Sequence, residues 1–206
     1  MAHKIIFNVE KASLEDVAGI HIALKQNLLE IRDFHQIKKK ERQKLEKQGF
    51  LRREVGIEYY NNLIRDSNSQ IYIAKDMNGN IIGFATIYIK KYDILKVRDI
   101  IGDLSFKDDR TRELLLNNDT EFAYLDQIGI IPEFKRKGVG TAIFQKVLKS
   151  IHTPIVAFIV EKPLFNKASI YWHESNGFEF SGVSNGTYKG KKFKFQIFIH
   201  WNDKKT

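Results

Sequence analysis

A seven-residue run, Pro154–Val160 ("PIVAFIV"), is almost wholly apolar and constrains the fold more than any other part of the chain. Such a run is typical of a strand that is buried on both faces, as in a parallel pair of strands. A second strand pattern, "AYLDQIGI", lies upstream, and a helical pattern separates the two. Strand, helix and strand together predict one crossover unit that contains a parallel pair.

The rest of the chain predicts antiparallel strands on both sides of this unit. "KIIFNVE" predicts a first strand, and "QIYIAKDMNGNIIGFATIYIKK" predicts a hairpin whose Asn78-Gly79 pair favours a type I′ turn. "GFEFSGV" and "KKFKFQIFIHW" predict a closing hairpin with one apolar face, formed by Phe193, Phe195, Ile197, Ile199 and Trp201.

Helical spacing predicts helices at Ile20–Ile31, in "IEYYNNLIRD", in "RTRELLLNN" and at Lys167–Asn176, which is followed by Gly177, a natural C′ residue. Apart from "RTRELLLNN", the pattern from 93 to 118 is ambiguous. The predicted fold class is α+β: a mixed, mostly antiparallel twisted sheet with one central parallel pair and helices on both faces.

Composition excludes several classes of protein. The chain has 206 residues, no cysteine and a formal net charge of +9, and this length suits a single domain, predicted over residues 1–206. No run approaches the roughly 18 apolar residues of a membrane helix, and no secretory signal is recognisable, so a cytoplasmic protein is expected. Disulfides and thiolate metal sites are excluded, and the histidines lack metal-ligand spacing, so no metal is expected.

The segment Ile37–Glu54 ("IKKKERQKLEKQGFLRRE") is dense in charge and poor in apolar residues. We expect a solvated helix or a mobile arm. An arm that binds nucleic acid is the alternative, but Glu41 and Glu46 interrupt the positive charge and aromatic residues for base stacking are scarce. A nucleic-acid partner is therefore not expected.

The loop Lys135–Gly140 ("KRKGVG") places three cations before two glycines at the start of a helix. A Walker A loop is excluded, because neither GxxxxGKS nor GxxxxGKT occurs. A dinucleotide-binding loop stays open as an alternative, although "GVGTAI" lacks the third glycine of GxGxxG and little chain remains after Glu161 for a second mononucleotide half. The third interpretation is a nest of backbone N–H groups that binds a pyrophosphate.

Two motifs resemble those of the GNAT superfamily of acetyl-CoA-dependent N-acyltransferases. The first is the pyrophosphate loop, in which Gln or Arg precedes Gly-x-Gly or Gly-x-Ala by three residues; it corresponds to Lys135–Gly140, with a lysine at the Gln/Arg position. The second corresponds to five residues further on: Asn166, Ser169, His173, Gly177 and Phe178. Two such motifs in order, joined by a buried strand, are harder to obtain by chance than either alone.

The resemblance implies acetyl-CoA as co-substrate, bound by a core at 122–178. Its pyrophosphate would contact the loop and the first helical turn, formed by Lys135, Arg136, Lys137, Gly138, Val139, Gly140 and Thr141. The backbone of Ile128, Gly129 and Ile130 would pair with the pantetheine arm between two splayed parallel strands, with a bulge at Gly129. Asn166 would bond to the arm's amide or to the reacting end.

Acylation also requires a proton acceptor for the amine and a donor near the leaving thiol. In much of the superfamily a tyrosine four residues before the Gly-Phe pair meets the CoA sulfur. Here that position is His173, whose titration range suits a thiol-side acid, while Tyr171 lies about 200° around the helix and should face elsewhere. Asp126, a carboxylate in an otherwise apolar strand, is the candidate base or water-positioning group, and Glu161 or a water relay are alternatives.

These observations predict an N-acetyltransferase in which a primary amine attacks acetyl-CoA directly within a ternary complex. The acceptor would be a small-molecule, peptide or protein amine, chosen mainly by residues 10–70 and 180–201, and a homodimer is compatible with the sequence. The alternatives are a non-catalytic acyl-CoA-binding regulatory module, a dinucleotide-binding protein and a basic nucleic-acid-binding protein. For each of the two catalytic candidates a structural role also remains open: His173 packed in a core and Asp126 paired with a neighbouring donor.

Overall fold

The computed structural model describes residues 5–29, 37–89, 103–188 and 190–202. These ranges contain eight strands and six α-helices. The strands are β1 (Phe7–Lys11), β2 (Ser69–Asp76), β3 (Ile81–Tyr88), β4 (Leu104–Phe106), β5 (Ala123–Ile130), β6 (Ile155–Lys162), β7 (Glu179–Tyr188) and β8 (Lys191–His200). The helices are α1 (Val17–Asn27), α2 (Lys39–Gln48), α3 (Ile57–Arg65), α4 (Asp109–Leu116), α5 (Val139–Leu148) and α6 (Lys167–Ser175).

The strands form one mixed sheet in the order β1-β2-β3-β5-β6-β8-β7-β4. Its parallel pair is β5 with β6, with Ala123 opposite Ile155 and Tyr124 opposite Val156. The α+β prediction, with a mostly antiparallel sheet and one parallel pair, is confirmed. The pair forms where the sequence predicts it, because the apolar β6 and the crossover through α5 leave a parallel neighbour as the natural arrangement.

The chain divides into two compact units. Unit 1 comprises Met1–Ile31, Phe50–Tyr88 and Leu125–Ile151, and unit 2 comprises Arg32–Gly49, Ile89–Tyr124 and His152–Thr206. Strand β5 begins in unit 2 and continues in unit 1. The single domain predicted over 1–206 stays a prediction, as does the splay of the parallel strands.

Unit 1 is built on β1, β2, β3 and most of β5, with α1 and α5 both packed against β3. Ile20 and Leu24 of α1, Phe84 of β3, and Ile143 and Phe144 of α5 are all buried. The apolar stripe of α5 therefore anchors this helix to the sheet, which fixes the position of its N-terminus.

Unit 2 contains β4, β6, β7 and β8 together with α2, α4 and α6. The predicted apolar face of β8 is confirmed: Phe193, Phe195, Ile197 and Ile199 are buried and Trp201 is half-buried. The buried residues of one core cluster of this unit are Leu114, Leu115, Phe122, Val156, Ile197 and Ile199.

The hairpin between β2 and β3 differs from the predicted type I′ turn, which needs positive φ at two residues. Only Gly79 has a positive φ, +81°, and its N–H donates to the Asp76 carbonyl at 3.0 Å. The physical reason is the Asp76 carboxylate, which accepts the N–H groups of Asn78 at 2.9 Å and Asn80 at 2.8 Å. These bonds favour a right-handed turn through Met77 and Asn78, after which one left-handed glycine suffices.

The charged segment 37–54 contains α2, which has no buried residue and packs against α6 within unit 2. The Arg42 guanidinium donates to the Pro163 carbonyl at 3.4 Å. The expectation of a solvated helix is therefore confirmed for Lys39–Gln48.

No helix in the described ranges is long and apolar enough to cross a membrane.

A glycine in β7 leads to the first stability prediction. A Cβ added at Gly182 would meet the backbone carbonyl oxygen of Ser105 and lie 3.2 Å from the Phe106 Cα, both on the paired strand β4. Gly182→Ala should therefore lower the free energy of unfolding by about 1–3 kcal/mol, because the obstruction is backbone that no rotamer can relieve. Urea unfolding measures this loss as a lower midpoint concentration of urea, while the slope of the unfolding free energy against urea concentration stays the same.

Gly56→Ala is the control, because a Cβ there would meet nothing within 4 Å and the φ is −81°. Its change should stay below about 1 kcal/mol. Equal losses for the two variants would show that the close approach of β4 does not limit residue 182.

Candidate active site

The loop before α5 has an unusual backbone. Arg136 has a φ of +61° and is one of two non-glycine residues with positive φ in the described ranges, while Gly138 has a φ of +83°. Left-handed residues on either side of Lys137 turn successive N–H groups toward one side of the chain, which is typical of an anion-binding nest. A non-glycine residue held in this region costs about 1–2 kcal/mol, so the arrangement is a candidate for function.

The first turn of α5 adds further donors. The Ala142 N–H donates to the Gly138 carbonyl at 2.9 Å and is the first intrahelical bond. The N–H groups of Val139, Gly140 and Thr141 precede that bond and so have no intrahelical acceptor. With the partial positive charge of the helix N-terminus, they form a site suited to a phosphate group.

The cations of the loop differ in environment. Lys135 is half-buried, and burial lowers the pKa of its amine because the charged form loses hydration. Arg136 and Lys137 are exposed, and the Lys137 Nζ lies 5.4 Å from the centre of the Phe134 ring. A bound anion would favour the charged form of Lys135. A lysine at position 135, where the GNAT pattern has Gln or Arg, is therefore compatible with an anion site.

The end of β5 carries Ile128, Gly129 and Ile130, the residues predicted to pair with pantetheine. A Cβ at Gly129 would lie 2.9 Å from the Phe84 ring and 3.1 Å from Leu51 Cδ1, so close packing within unit 1 explains why this residue is a glycine. The predicted bulge and the backbone pairing with pantetheine stay predictions.

In unit 2, Asn166 and the Gly-Phe pair lie at the two ends of α6. Asn166 is 7% exposed, precedes the first residue of the helix, and donates its N–H to the Val160 carbonyl at 3.1 Å. At the C-terminus, the Gly177 N–H donates to the Glu174 carbonyl at 3.1 Å and the Phe178 N–H to the His173 carbonyl at 3.0 Å. With Gly177 at a φ of +84°, these bonds form a Schellman motif.

His173 lies inside the aromatic cluster that this motif creates. Its ring is 3% exposed, with ring centres at 4.8 Å from Phe178 and 4.7 Å from Trp172. Nδ1 lies 2.7 Å from the Ser169 carbonyl, an acceptor, so Nδ1 carries the proton. Burial lowers the pKa of His173 to about 4, which makes the ring neutral at pH 7. Tyr171 is 71% exposed and faces elsewhere, as predicted.

Asp126 is held by a polar cluster in unit 1. Its side chain is 7% exposed, and its Oδ2 lies 2.5 Å from the Tyr59 hydroxyl and 3.2 Å from Arg53 Nη1. The Tyr59 hydroxyl is in turn 3.0 Å from the Tyr88 hydroxyl. Burial, followed by the nearby Asp126 charge, raises the pKa of Tyr59, so this phenol stays protonated and donates to the carboxylate.

Glu161, the alternative base, is engaged differently. It accepts hydrogen bonds from Lys194 Nζ at 2.8 Å and Gln196 Nε2 at 3.2 Å. Burial opposes its ionisation, but these bonds outweigh burial and its pKa lies below the ordinary value. A carboxyl group with a lowered pKa is a weaker base, which counts against Glu161 as the proton acceptor.

Two further observations concern possible ligands. A surface cavity of about 870 Å³ in unit 2 is lined by residues of β4, α4 and their surroundings, and it contains none of the predicted site residues. Among the described residues no group of three or more His, Asp or Glu side chains could hold a metal ion.

Comparison with known proteins agrees with the loop and the α6 motif. The family model described as the acetyltransferase (GNAT) family matches residues 31–178, well over half of the chain. The chain belongs to this family. The GNAT resemblance predicted from Lys135–Gly140 and from the α6 motif is thereby confirmed, as is the expectation of an acyltransferase of this class. No curated protein matches the sequence significantly.

Solved structures share the GNAT fold at low identity. NAA60 from Arabidopsis thaliana in complex with acetyl-CoA is 13% identical, with a TM-score of 0.59 over 95% of this chain and 98% of that one. An N-acetyltransferase from Staphylococcus aureus Mu50 is 13% identical, with a TM-score of 0.58 over 96% and 99%. The ribosomal-protein-S18-alanine N-acetyltransferase from Escherichia coli is 12% identical, with a TM-score of 0.57 over 94% and 92%.

Arg53, Tyr59 and Tyr88 are not among the residues that the sequence predicts for the site. Arg53 was included in a charged run, and the tyrosines were assigned only to a helix and a strand. A signal for Tyr59 does exist in "IEYYNN": two adjacent tyrosines lie about 100° apart around a helix, which predicts different partners for their hydroxyl groups. Tyr60 is buried and donates to Gln127 at 2.9 Å, while Tyr59 bonds to Asp126.

Proposed function

We propose that this GNAT protein transfers the acetyl group of acetyl-CoA to a primary amine, by direct attack within a ternary complex. The observation that carries the proposal is the backbone of residues 136–141, where two left-handed residues, Arg136 and Gly138, lead into the first turn of α5. This geometry suits a pyrophosphate, and acetyl-CoA contains one. The family match supports the same co-substrate.

The loop residues would divide the binding of the anion between them. The N–H groups of Val139, Gly140 and Thr141 would bond to phosphate oxygens, while Lys135, Arg136 and Lys137 would supply positive charge. Ile128, Gly129 and Ile130, and Asn166 in unit 2, stay predicted contacts of the pantetheine arm.

The chemistry assigned to Asp126 is proton acceptance. The amine nitrogen attacks the thioester carbonyl carbon, a C–N bond forms, and the C–S bond breaks with its electron pair on sulfur. An acceptor that binds as an ammonium loses two protons from nitrogen: Asp126 accepts one, directly or through one water, and releases it to solvent, and the other goes to the thiolate, so protons balance overall. His173 is neutral and its Nδ1–H is bonded to Ser169, so its role as thiol-side acid stays a prediction whose support is the sequence motif.

Acetyl-CoA binding tests this proposal. Unfolding is measured with acetyl-CoA, CoA and NAD side by side, and a ligand at 100 times its dissociation constant should add about 2.7 kcal/mol of stability. We expect the shift with both CoA forms. A shift with NAD alone, or with none of the three, would contradict the proposal. Binding of acetyl-CoA without thiol release in the presence of any amine would indicate a non-catalytic acyl-CoA sensor.

Gly138→Ala tests the loop itself. The change forces a side chain into a backbone with φ of +83°, which should cost about 1 kcal/mol of stability and displace the donor N–H groups. Losing one bond to a charged phosphate should weaken acetyl-CoA binding about tenfold or more, as isothermal titration calorimetry would measure.

Gly79→Ala is a matched control in the β2–β3 turn. Its φ is +81°, and an added Cβ meets nothing within 4 Å at either glycine. The two variants should lose similar stability, but Gly79→Ala should bind acetyl-CoA like the unmodified protein. Weakened binding in both variants would attribute the effect to general destabilisation instead of the loop.

A further inference from the structure

The ion pair in unit 1 is asymmetric. The Asp126 side chain is 7% exposed, whereas the Arg53 side chain is 40% exposed. Arg53 reaches both carboxylate oxygens, at 3.3 and 3.2 Å, through the single nitrogen Nη1. Strong arginine–carboxylate pairs use two nitrogens in parallel at about 2.7–2.9 Å. The carboxylate is thus buried in the protein, while its cationic partner lies nearer the surface.

The hydroxyl groups beside the carboxylate have a defined direction. A carboxylate oxygen only accepts, so the Tyr59 hydroxyl donates to Asp126 Oδ2, and its oxygen is left to accept from the Tyr88 hydroxyl. Arg53 Nη1 also lies 3.4 Å from the Tyr59 hydroxyl oxygen, but the bond that Tyr59 donates to Asp126 does not require the guanidinium. The carboxylate should therefore keep its position if the guanidinium moves away.

The same place is suited to a cation. The Arg53 guanidinium carbon lies 4.8 Å from the centre of the Tyr59 ring, so the cation there contacts a carboxylate and an aromatic face together. An ammonium group can make both interactions. It could replace the guanidinium without leaving the buried carboxylate unpaired, which would be costly.

We propose that Arg53 and Asp126 form a two-charge recognition site for a zwitterionic acceptor, an amine that carries a carboxylate or another anionic group near its nitrogen. This inference rests on the proposed acetyl transfer. The acceptor's ammonium replaces Arg53 at Asp126, and the displaced guanidinium pairs with the acceptor's anionic group. One ion pair is thus exchanged for two, and no charge is left uncompensated.

The site discriminates by charge. An amide of the same acceptor has no anion for Arg53, and a diamine brings a second cation toward it. Neither of them brings an anionic group to the displaced guanidinium. A hydrogen bond to a charged group is worth about 1.5–3 kcal/mol, so the zwitterion should be favoured over its amide by about 10- to 100-fold in kcat/KM.

The test compares three substrate pools with acetyl-CoA: L-amino acids, the matching L-amino acid amides, and linear diamines. Thiol release and product mass give the relative rates for the unmodified protein, Arg53→Met, Arg53→Lys and Arg65→Met. Arg65 is an exposed arginine at the end of α3 and serves as the matched control. Methionine keeps much of the length of arginine without its charge.

We expect the amino acids to be preferred by the unmodified protein, by Arg65→Met and, to a smaller degree, by Arg53→Lys. Arg53→Met should lose the preference for amino acids over amides. A preference of the unmodified protein for amides or diamines, or an unchanged preference in folded Arg53→Met, would overturn the inference. If acetyl-CoA stabilises the protein but no amino acid is acetylated, the inference fails while the co-substrate assignment stands.

Discussion

Asp126→Asn should lower kcat/KM by about 100- to 10,000-fold, the range over which a positioned proton acceptor contributes to catalysis. The substitution keeps the size of the side chain but removes its charge and its basicity. Tyr59 can still donate to the amide oxygen, so the local packing should persist. Steady-state rates of thiol release measure the effect. Calorimetry should find the affinity for acetyl-CoA unchanged, because the proposed pyrophosphate contacts are made by residues 135–141 and not by Asp126.

Asp119→Asn makes the same chemical change at an exposed position and should leave kcat/KM near the original value. Tyr59→Phe is an intermediate case, since it removes the hydrogen bond that orients the carboxylate but leaves the carboxylate in place. We expect a loss of about tenfold, consistent with one hydrogen bond to a charged group. Full activity in folded Asp126→Asn would exclude Asp126 as the base and favour a water relay.

The second large expected effect is a loss of folding stability at low pH, caused by the burial of His173. The folded state holds the pKa of this ring at about 4, below the ordinary 6.5, because the charged form would lose its hydration. Between these values the unfolded chain binds a proton that the folded chain does not. The contribution of His173 to the free energy of unfolding is therefore fully present above pH 6.5 and is lost as the pH falls toward 4. From pH 7.5 to 4.5 this group should cost about 2 to 3 kcal/mol.

His173→Phe should abolish this part of the acid sensitivity, since phenylalanine cannot titrate and suits the aromatic cluster around the ring. The measurement is the difference in unfolding free energy between pH 7.5 and pH 4.5, compared between variant and parent. Other groups titrate in both proteins and cancel. His152→Gln, a change at an exposed histidine, is measured beside it as the matched control. An identical acid response in His173→Phe would mean that His173 is hydrated or protonated in the folded protein.

The elements that sequence predicts well are those with a local cause. Strands β5 and β6 and helix α6 lie within two residues of their predicted limits, because apolar runs and a helix-ending glycine mark them directly. Strand β4 was missed in the ambiguous region, since three residues are too few to show an alternating pattern. The predicted type of the β2–β3 turn was wrong, because the Asp76 side chain, instead of the Asn-Gly pair, determines the geometry of this turn.

The same difference between local and distant causes applies to the candidate site. The loop Lys135–Gly140 is contiguous in sequence, so a sequence motif can indicate it. The cluster around Asp126 is assembled from residues 73 and 67 positions away, and no local pattern connects Arg53 or Tyr59 with this strand. His173 was placed correctly on α6, but its burial depends on Phe178, Trp172 and Phe198, whose packing cannot be inferred from helical spacing.

The Schellman motif at the end of α6 also affects how relatives are found. Its two bonds are between backbone atoms, and they require a glycine at 177 and bring Phe178 against a flat ring at 173. A genome search based on the Gly-Phe pair therefore selects chains that can terminate this helix, including those that have lost their activity. Under the proposed acceptor site, the residues for such a search to weigh are those aligned with Arg53, Tyr59 and Asp126.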